Sequence, residues 1–201
     1  MNAPGQRPLR ADALRNAERL VIAARQAFAD DGPEVSLEEI ARRAGVGVAT
    51  LYRRFPSKDD LVAAVLLWRY DERVAPVLEA ALVDPDPWRG VVSSLEAAMS
   101  LACEEQCTFL AAKSMSNLAD GIQDRYFADF TKIVARAQAA GLLRKDLTPE
   151  DLPPVAYMLV GVLHVVRAPE WDWRRYLTLL LDGLRPAGAT ELPALRRPGQ
   201  T

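Results

Sequence analysis

The residues whose types and spacing could do chemistry are concentrated in one segment, SLEEIARRAGVGVATLYRRFPSKDDL, at positions 36–61. Ser36 and Glu39 predict a capping box, in which the serine oxygen accepts from the Glu39 amide and the glutamate side chain reaches back, so that a helix begins just after the serine. Gly45 interrupts this helix, and a second short helix is predicted over residues 48–54. This is the spacing of a helix-turn-helix, whose second helix is able to enter the major groove of DNA.

Neighbouring helices must hold this segment in place. A first helix is predicted from about Asp12 to Asp30, and Ser57 with Asp60 predicts the start of a longer helix, which Pro76 should kink or end. The buried side of the helix-turn-helix is expected to consist of four apolar residues: Ile40, Ala41, Leu51 and Phe55.

The rest of the chain also has the pattern of helices. Apolar residues recur every three to four positions, and no segment alternates apolar and polar residues as a strand would. We therefore predict an all-α fold of about nine helices, the later ones at about 86–105, 109–118, 124–140, 149–167 and 171–184. The predicted domains are a helix-turn-helix domain with a basic N-terminal arm at 1–58, a helical sensing and dimerisation domain at 59–185, and a disordered tail at 186–201.

Composition narrows the function classes. Half of the 201 residues are hydrophobic and 26% are charged, which is ordinary for a globular protein. The longest apolar runs are too short for a membrane span, and the N-terminus does not resemble a secretory signal, so we expect a cytoplasmic protein with no membrane partner. The net charge of −2 does not favour nucleic acid, so DNA contact must depend on local charge placement.

The segment IARRAGVGVATLYRRFPSK resembles the signature of the TetR family, in which a Gly-Val turn precedes a Thr-Leu-Tyr recognition helix that ends at Phe and a Ser-Lys cap. The resemblance is close over residues 19–66. Beyond them the chain resembles the family in length, helix count and the junction AGLLRKDLTPEDL. The resemblance implies that the protein is a DNA-binding transcriptional regulator. Most such regulators are repressors that bind a pseudo-palindromic operator as a dimer and release it on binding a small molecule.

The resemblance also implies roles for single residues. Base edges would be faced by Gly47, Val48, Ala49 and Arg53, and phosphates would be contacted by Ser36, Thr50, Tyr52, Arg54 and Lys58. Arg53 is the strongest candidate for sequence reading, because a guanidinium can bond guanine O6 and N7 together. The basic arm carries Arg7, Arg10, Arg15 and Arg19, and it could follow the DNA backbone or the minor groove, or simply be solvated.

The larger C-terminal part is expected to dimerise and to bind an effector. In the family the last two helices pair with those of a second subunit, and here they offer two apolar faces, one with Val155, Leu159, Val162 and Val166 and the other with Leu177, Leu180, Leu181 and Leu184. These faces could equally belong to the core of one chain. Candidate residues for a small-molecule pocket are Met99, Cys103, Phe109, Met115, Tyr126, Phe130, Tyr157 and His164. Each of them could instead be a core residue, and this alternative is strongest for His164.

Two other functions have less support. Cys103 and Cys107 lie four residues apart and match neither a disulfide framework nor a zinc pattern, but a redox- or metal-responsive regulator using them is the alternative to ligand control. A helical enzyme is disfavoured, because one histidine and two cysteines, with no paired acid or phosphate loop, leave little for catalysis. We expect no catalytic residues, no metal site and no cofactor.

Overall fold

A computed structural model describes residues 6–112, 115–165 and 172–194. Within these ranges there is no strand, and the all-α fold class is confirmed. The helices are α1 (Gln6–Asp31), α2 (Leu37–Ala44), α3 (Val48–Arg54), α4 (Lys58–Arg73), α5 (Ala75–Val83), α6 (Pro87–Glu104), α7 (Gln106–Leu110), α8 (Met115–Ala139), α9 (Leu152–Val165) and α10 (Trp173–Gly183), with a 3-10 turn at Pro149–Asp151 before α9.

Most helices agree with the predicted ones, and the differences have local causes. Pro76 separates α5 from α4, because proline lies in the first turn of the new helix, where its missing N–H costs nothing. Helix α8 begins nine residues before the predicted start at Asp124, since a single glycine, Gly121, does not break a helix. Helix α1 begins at Gln6, so the predicted basic arm has helical backbone from that residue onward.

The chain forms two compact units. The first unit contains residues 1–73 and 101–124, and the second contains residues 74–100 and 125–201. The domains predicted from the sequence were defined by function, as a DNA-binding domain and a sensing and dimerisation domain. Their boundaries therefore remain predictions.

The core of the first unit is built by one face of each of its helices. Helix α1 packs against α2, α4 and α7, and α2 packs against α3. The fully buried side chains come from all of α1 to α4 and include Leu20, Phe28, Ile40, Leu51 and Leu61. Burying such side chains contributes about 1.5–3 kcal/mol each, so this apolar core fixes the relative positions of α2 and α3.

In the second unit, polar side chains bridge helices around an apolar core. Arg136 on α8 donates to the backbone oxygens of Ala81 (2.9 Å) and Asp84 (2.7 Å), at the end of α5. The Ala81 carbonyl also accepts from the Asp84 amide (3.4 Å), and the guanidinium adds a closer donor at this helix end, where carbonyls lack the usual intrahelical partner. The guanidinium of Arg185 also lies 3.5 Å from the ring centre of Trp88 on α6.

The segment after α10 has no helix up to residue 194. It is nevertheless held by hydrogen bonds, because the Leu192 amide donates to Asp146 Oδ2 (2.9 Å) and Arg144 donates to the Thr190 carbonyl. Residues 195–201 of the predicted tail lie outside the described residues. Of the helices described, none is both long enough and apolar enough to cross a membrane.

Candidate nucleic-acid interface

Helix α2 begins with the predicted serine cap. Ser36 has extended backbone, and its Oγ accepts a hydrogen bond from the Glu39 amide (3.2 Å). The other half of the capping box was predicted wrongly, because the Glu39 carboxylate binds the guanidinium groups of Arg42 and Arg43 rather than the serine amide. These pairs also lower the pKa of Glu39 to about 2, through the hydrogen bond from Arg42 first.

A tight turn joins α2 to α3 and depends on glycine. Gly45 has a φ of 61°, in the left-handed region that side chains disfavour, and its amide donates to the Arg42 carbonyl (3.1 Å). A Cβ at this position would lie 2.8 Å from Nη2 of Arg19. The turn therefore has both a conformational and a steric reason for glycine.

Helix α3 divides its residues between core and surface. Leu51 and Phe55 are buried, as expected for the inner side of a recognition helix. Gly47, the N-cap of α3, is exposed, and so are four residues of the helix that were predicted to face DNA: Val48, Ala49, Tyr52 and Arg53. Thr50 is half-buried and Arg54 is exposed. The structure thus brings the predicted base-facing residues together on one accessible surface.

The charge on this surface is available for a partner. Arg53 and Arg54 form no ion pair within the described residues, and they flank an open cleft against α1 together with Asp12 and Asn16. The guanidinium of Arg54 lies 5.5 Å from the ring centre of Phe55. Such unpaired guanidinium groups are suited to bind phosphate or a guanine edge.

Tyr52 has a partner that the sequence did not indicate. Its hydroxyl donates to Glu38 Oε1 (2.9 Å) on α2, across the turn. The pKa of Glu38 is lowered, first by the backbone N–H at the start of α2 and then by the Tyr52 hydroxyl, while the same bond raises the pKa of Tyr52. The carboxylate therefore stays charged beside the recognition helix.

Lys58 is less free than predicted for a phosphate contact. Its ammonium donates to the Pro33 carbonyl (2.6 Å) and lies 5.7 Å from the ring centre of Phe28. Ser57 caps α4 as expected, since its Oγ accepts from the Asp60 amide (3.1 Å) and its own amide donates to the Asp60 carboxylate (2.9 Å). The start of α4 is thus fixed, and the lysine lies against the first unit's core.

The candidate pocket residues are distributed over both units. In the second unit Met99, Tyr126 and Phe130 are buried, with Tyr126 and Phe130 stacked at 5.2 Å and the Tyr126 hydroxyl donating to the Ser94 carbonyl (3.2 Å). Tyr157 is half-exposed in the same unit. In the first unit Cys103 is exposed and Phe109 is half-buried. The side chains of Met115 and His164 lie outside the described residues, as do those of Arg7 and Arg10.

The first unit also contains a buried ion cluster that we did not predict, formed by Arg25, Arg69 and Glu105. Glu105 is 2% exposed and accepts from Nε of Arg25 (2.7 Å), Nε of Arg69 (2.8 Å) and Oγ1 of Thr108 (3.0 Å). Arg69 also binds Glu104, on the outer side of the cluster. The cluster joins α1 and α4 to the residues around the start of α7.

Cys103 and Cys107 flank Glu105 in the sequence, and both are free thiols, the first exposed and the second half-buried. Within the described residues no group of three or more His, Cys, Asp or Glu side chains could hold a metal ion.

The geometry of α2, the glycine turn and α3 is that of a helix-turn-helix protein, with a short recognition helix that presents its polar side outward. Sequence and structure comparisons give the same class. Residues 20–65 match the model of the bacterial regulatory proteins of the tetR family. A helix-turn-helix transcriptional regulator of Staphylococcus aureus is 39% identical over 59 residues, which are 29% of this chain and 32% of that protein.

Similarity to solved structures extends over most of the chain. A TetR transcription regulatory protein from Mycobacterium vanbaalenii is 30% identical, with 89% of this chain and 99% of that chain aligned at a TM-score of 0.59. A TetR transcriptional regulator from Streptomyces coelicolor is 27% identical, with 86% and 99% aligned at a TM-score of 0.55. The chain belongs to the TetR family of transcriptional regulators. It spans about a third of the length of the curated relatives that it matches.

Proposed function

We propose that this chain is a ligand-responsive transcriptional repressor that binds a pseudo-palindromic DNA operator as a homodimer and releases it when a small molecule binds. The observation that carries the proposal is the division of α3, which buries Leu51 and exposes Val48, Ala49 and the unpaired Arg53. A helix with this arrangement can enter the major groove while its inner side stays in the core. Binding DNA would place the protein in the cytoplasm.

The homodimer is supported by exposed apolar side chains on the last two helices. Met158 on α9 and Leu179 on α10 are each 61% exposed, and Tyr157 is half-exposed. Of the faces predicted from the sequence, Leu159, Leu177, Leu181 and Leu184 are buried within the chain, and the Val162 and Val166 side chains lie outside the described residues. The surface proposed for the partner subunit is therefore a different one, centred on Met158 and Leu179.

A dimer of this kind matters because the recognition surface of one subunit is small. Apolar contacts from Val48 and Ala49 and one guanidinium discriminate few base pairs, whereas two subunits related by a two-fold axis read two half-sites about 10 base pairs apart. A DNA operator with two-fold symmetry is thus the site that such a dimer would bind.

The effector site is proposed for the second unit, where Met99, Tyr126 and Phe130 supply a thioether and two stacked aromatic rings. Such residues line pockets for largely apolar molecules. We propose no catalytic role for the chain.

The first experiment is selection of bound duplexes from a random library with the purified protein at a fixed salt concentration, since affinity for DNA depends strongly on salt. We expect an enriched palindrome. The enriched duplex then serves in a release assay with small molecules, and with peroxide or a chelator as comparison. Failure to enrich any sequence would contradict the proposed function, and release by peroxide or chelator alone would contradict ligand control.

The dimer surface is tested by Leu179→Glu, with Val83→Glu as the matched control. Val83 is an exposed apolar residue on α5, so the control introduces the same charge outside the last two helices. We expect Leu179→Glu to give monomers in sedimentation and to weaken operator binding, and Val83→Glu to leave the dimer intact. Dimers of unchanged stability in both variants would place the interface elsewhere.

A further inference from the structure

Glu38 carries a charge for which the fold provides no counterion. Its neighbour Glu39 binds two arginines, but Glu38 forms no ion pair within the described residues. Its side chain is exposed, and the hydrogen bond from the Tyr52 hydroxyl holds it beside α3. A carboxylate that has hydrogen-bond donors but no counterion therefore lies among the residues that we expect to contact DNA.

The position of this carboxylate follows from its partner. Tyr52 lies next to Arg53 on the exposed part of α3 and is 43% exposed. Because Glu38 Oε1 is 2.9 Å from the Tyr52 hydroxyl, any duplex that contacts this tyrosine also comes close to the carboxylate. Glu38 is thus part of the same surface as the recognition helix, although it belongs to α2.

An ionised carboxylate can only accept hydrogen bonds. Phosphate and deoxyribose oxygens, which make up most of the DNA surface, also offer only acceptors, and phosphate repels the charge. Donors in the major groove are the exocyclic amines of cytosine and adenine, and the carboxylates of Glu and Asp accept from cytosine N4 in protein–DNA complexes. Among the groups that a duplex presents in the major groove, only these base amines can donate to Glu38.

We propose that Glu38 is a specificity-determining residue, which selects operators that place an amine-bearing base edge against its carboxylate and disfavours duplexes that do not. The inference rests on the proposed DNA-binding function. On a matching duplex the base amine donates to the Glu38 carboxylate, and the Tyr52 hydroxyl is released to donate to a phosphate oxygen. On other duplexes the carboxylate meets acceptors, so α3 docks less closely.

The test repeats the duplex selection with Glu38→Leu, which keeps the approximate size of the side chain and removes both acceptor oxygens. Glu79→Gln, an exposed glutamate on α5, is the control with the same change in net charge. Because Glu38 is exposed, the variant should keep the wild-type melting temperature, which is measured alongside.

We expect the wild-type protein and Glu79→Gln to select an amine-bearing base at one position of each half-site, and Glu38→Leu to lose the preference there while keeping the rest of the consensus. Changing that base in the operator should weaken wild-type binding about tenfold and Glu38→Leu binding by much less. The identity of the base distinguishes cytosine from adenine.

An unchanged consensus for Glu38→Leu would overturn this inference and leave the DNA-binding proposal standing. If the wild-type protein itself enriches no sequence, the DNA-binding proposal fails and this inference fails with it.

Discussion

The exposed surface of α3 and the buried ion cluster around Glu105 use the same residue type for opposite purposes. Both belong to the first compact unit, and both depend on arginine. In the cluster the guanidinium of Arg69 is fully engaged with carboxylates and is 7% exposed, whereas Arg53 on α3 has no ion-pair partner in the part of the chain that is described. The arginine that stabilises the fold is paired and buried, and the arginine that is available for a ligand is unpaired and exposed to solvent.

The comparison assigns the stability of the fold to the ion cluster and the affinity for DNA to the surface of α3. Changes in the cluster should lower the free energy of unfolding, while changes on α3 should lower affinity for DNA and leave the fold intact. Four predictions test this separation, beginning with the largest effect.

Glu105→Ala should lower the free energy of unfolding by about 3–5 kcal/mol, because it leaves Arg25 and Arg69 without the carboxylate they share in a buried site. Denaturant unfolding measures the change. The control is Glu72→Ala, which removes a half-exposed partner of Arg69 and should cost less than about 1 kcal/mol. Equal losses in the two variants would mean that burial of the cluster does not matter.

Arg53→Ala should weaken operator binding by about 1–3 kcal/mol per half-site, since it removes the side chain able to bond a guanine edge twice. Its free energy of unfolding should stay within about 0.5 kcal/mol of the wild type, because the residue is exposed. Arg89→Ala on α6 is the control for the lost charge. A destabilised Arg53→Ala protein, or one that binds the operator normally, would contradict the contrast drawn above.

Gly45→Ala should destabilise the protein by about 1–2 kcal/mol, because its φ of 61° is left-handed. Gly47→Ala should cost less than about 1 kcal/mol, because the φ of Gly47 is −64° and a Cβ there meets nothing closer than Thr50 Oγ1 at 3.9 Å. Thermal unfolding of both variants gives the comparison. Similar losses would show that backbone conformation does not explain the glycine in the turn.

Lys58→Ala should weaken binding to all duplexes alike and reduce the salt dependence of affinity by about one unit per subunit, as expected for one lost phosphate contact. Lys132→Ala on α8, where the lysine is paired with Asp129, is the control. The ammonium must leave the Pro33 carbonyl to reach a phosphate. An unchanged slope would show that Lys58 stays with Pro33 and belongs with the structural charges.

The parts of the molecule that the sequence predicts well are encoded by residues close together in the chain. The Ser36 cap, the glycine turn and the Ser57–Asp60 cap all depend on partners within a few positions, and the structure confirms them. The same signals overpredicted the capping box, because two arginines one turn away compete for Glu39.

Features that depend on distant partners could not be predicted. Glu105 meets residues that are 36 and 80 positions away, and no periodicity in the sequence indicates those pairs. Apolar spacing also cannot distinguish a face that packs within the chain from one left exposed, which is why Leu177 and Leu181 are in the core while Leu179 is in water. The Glu38–Tyr52 bond likewise exists only once α2 and α3 are folded together.

The anchoring of the chain beyond α10 has a consequence for amide hydrogen exchange. Backbone amides in a segment without helix normally exchange quickly, because water reaches them directly. The Leu192 amide is instead bonded to Asp146, so it should exchange more slowly than its neighbours in the same irregular segment. The exchange rate of this amide would therefore report on whether the segment after α10 stays bonded to the loop after α8.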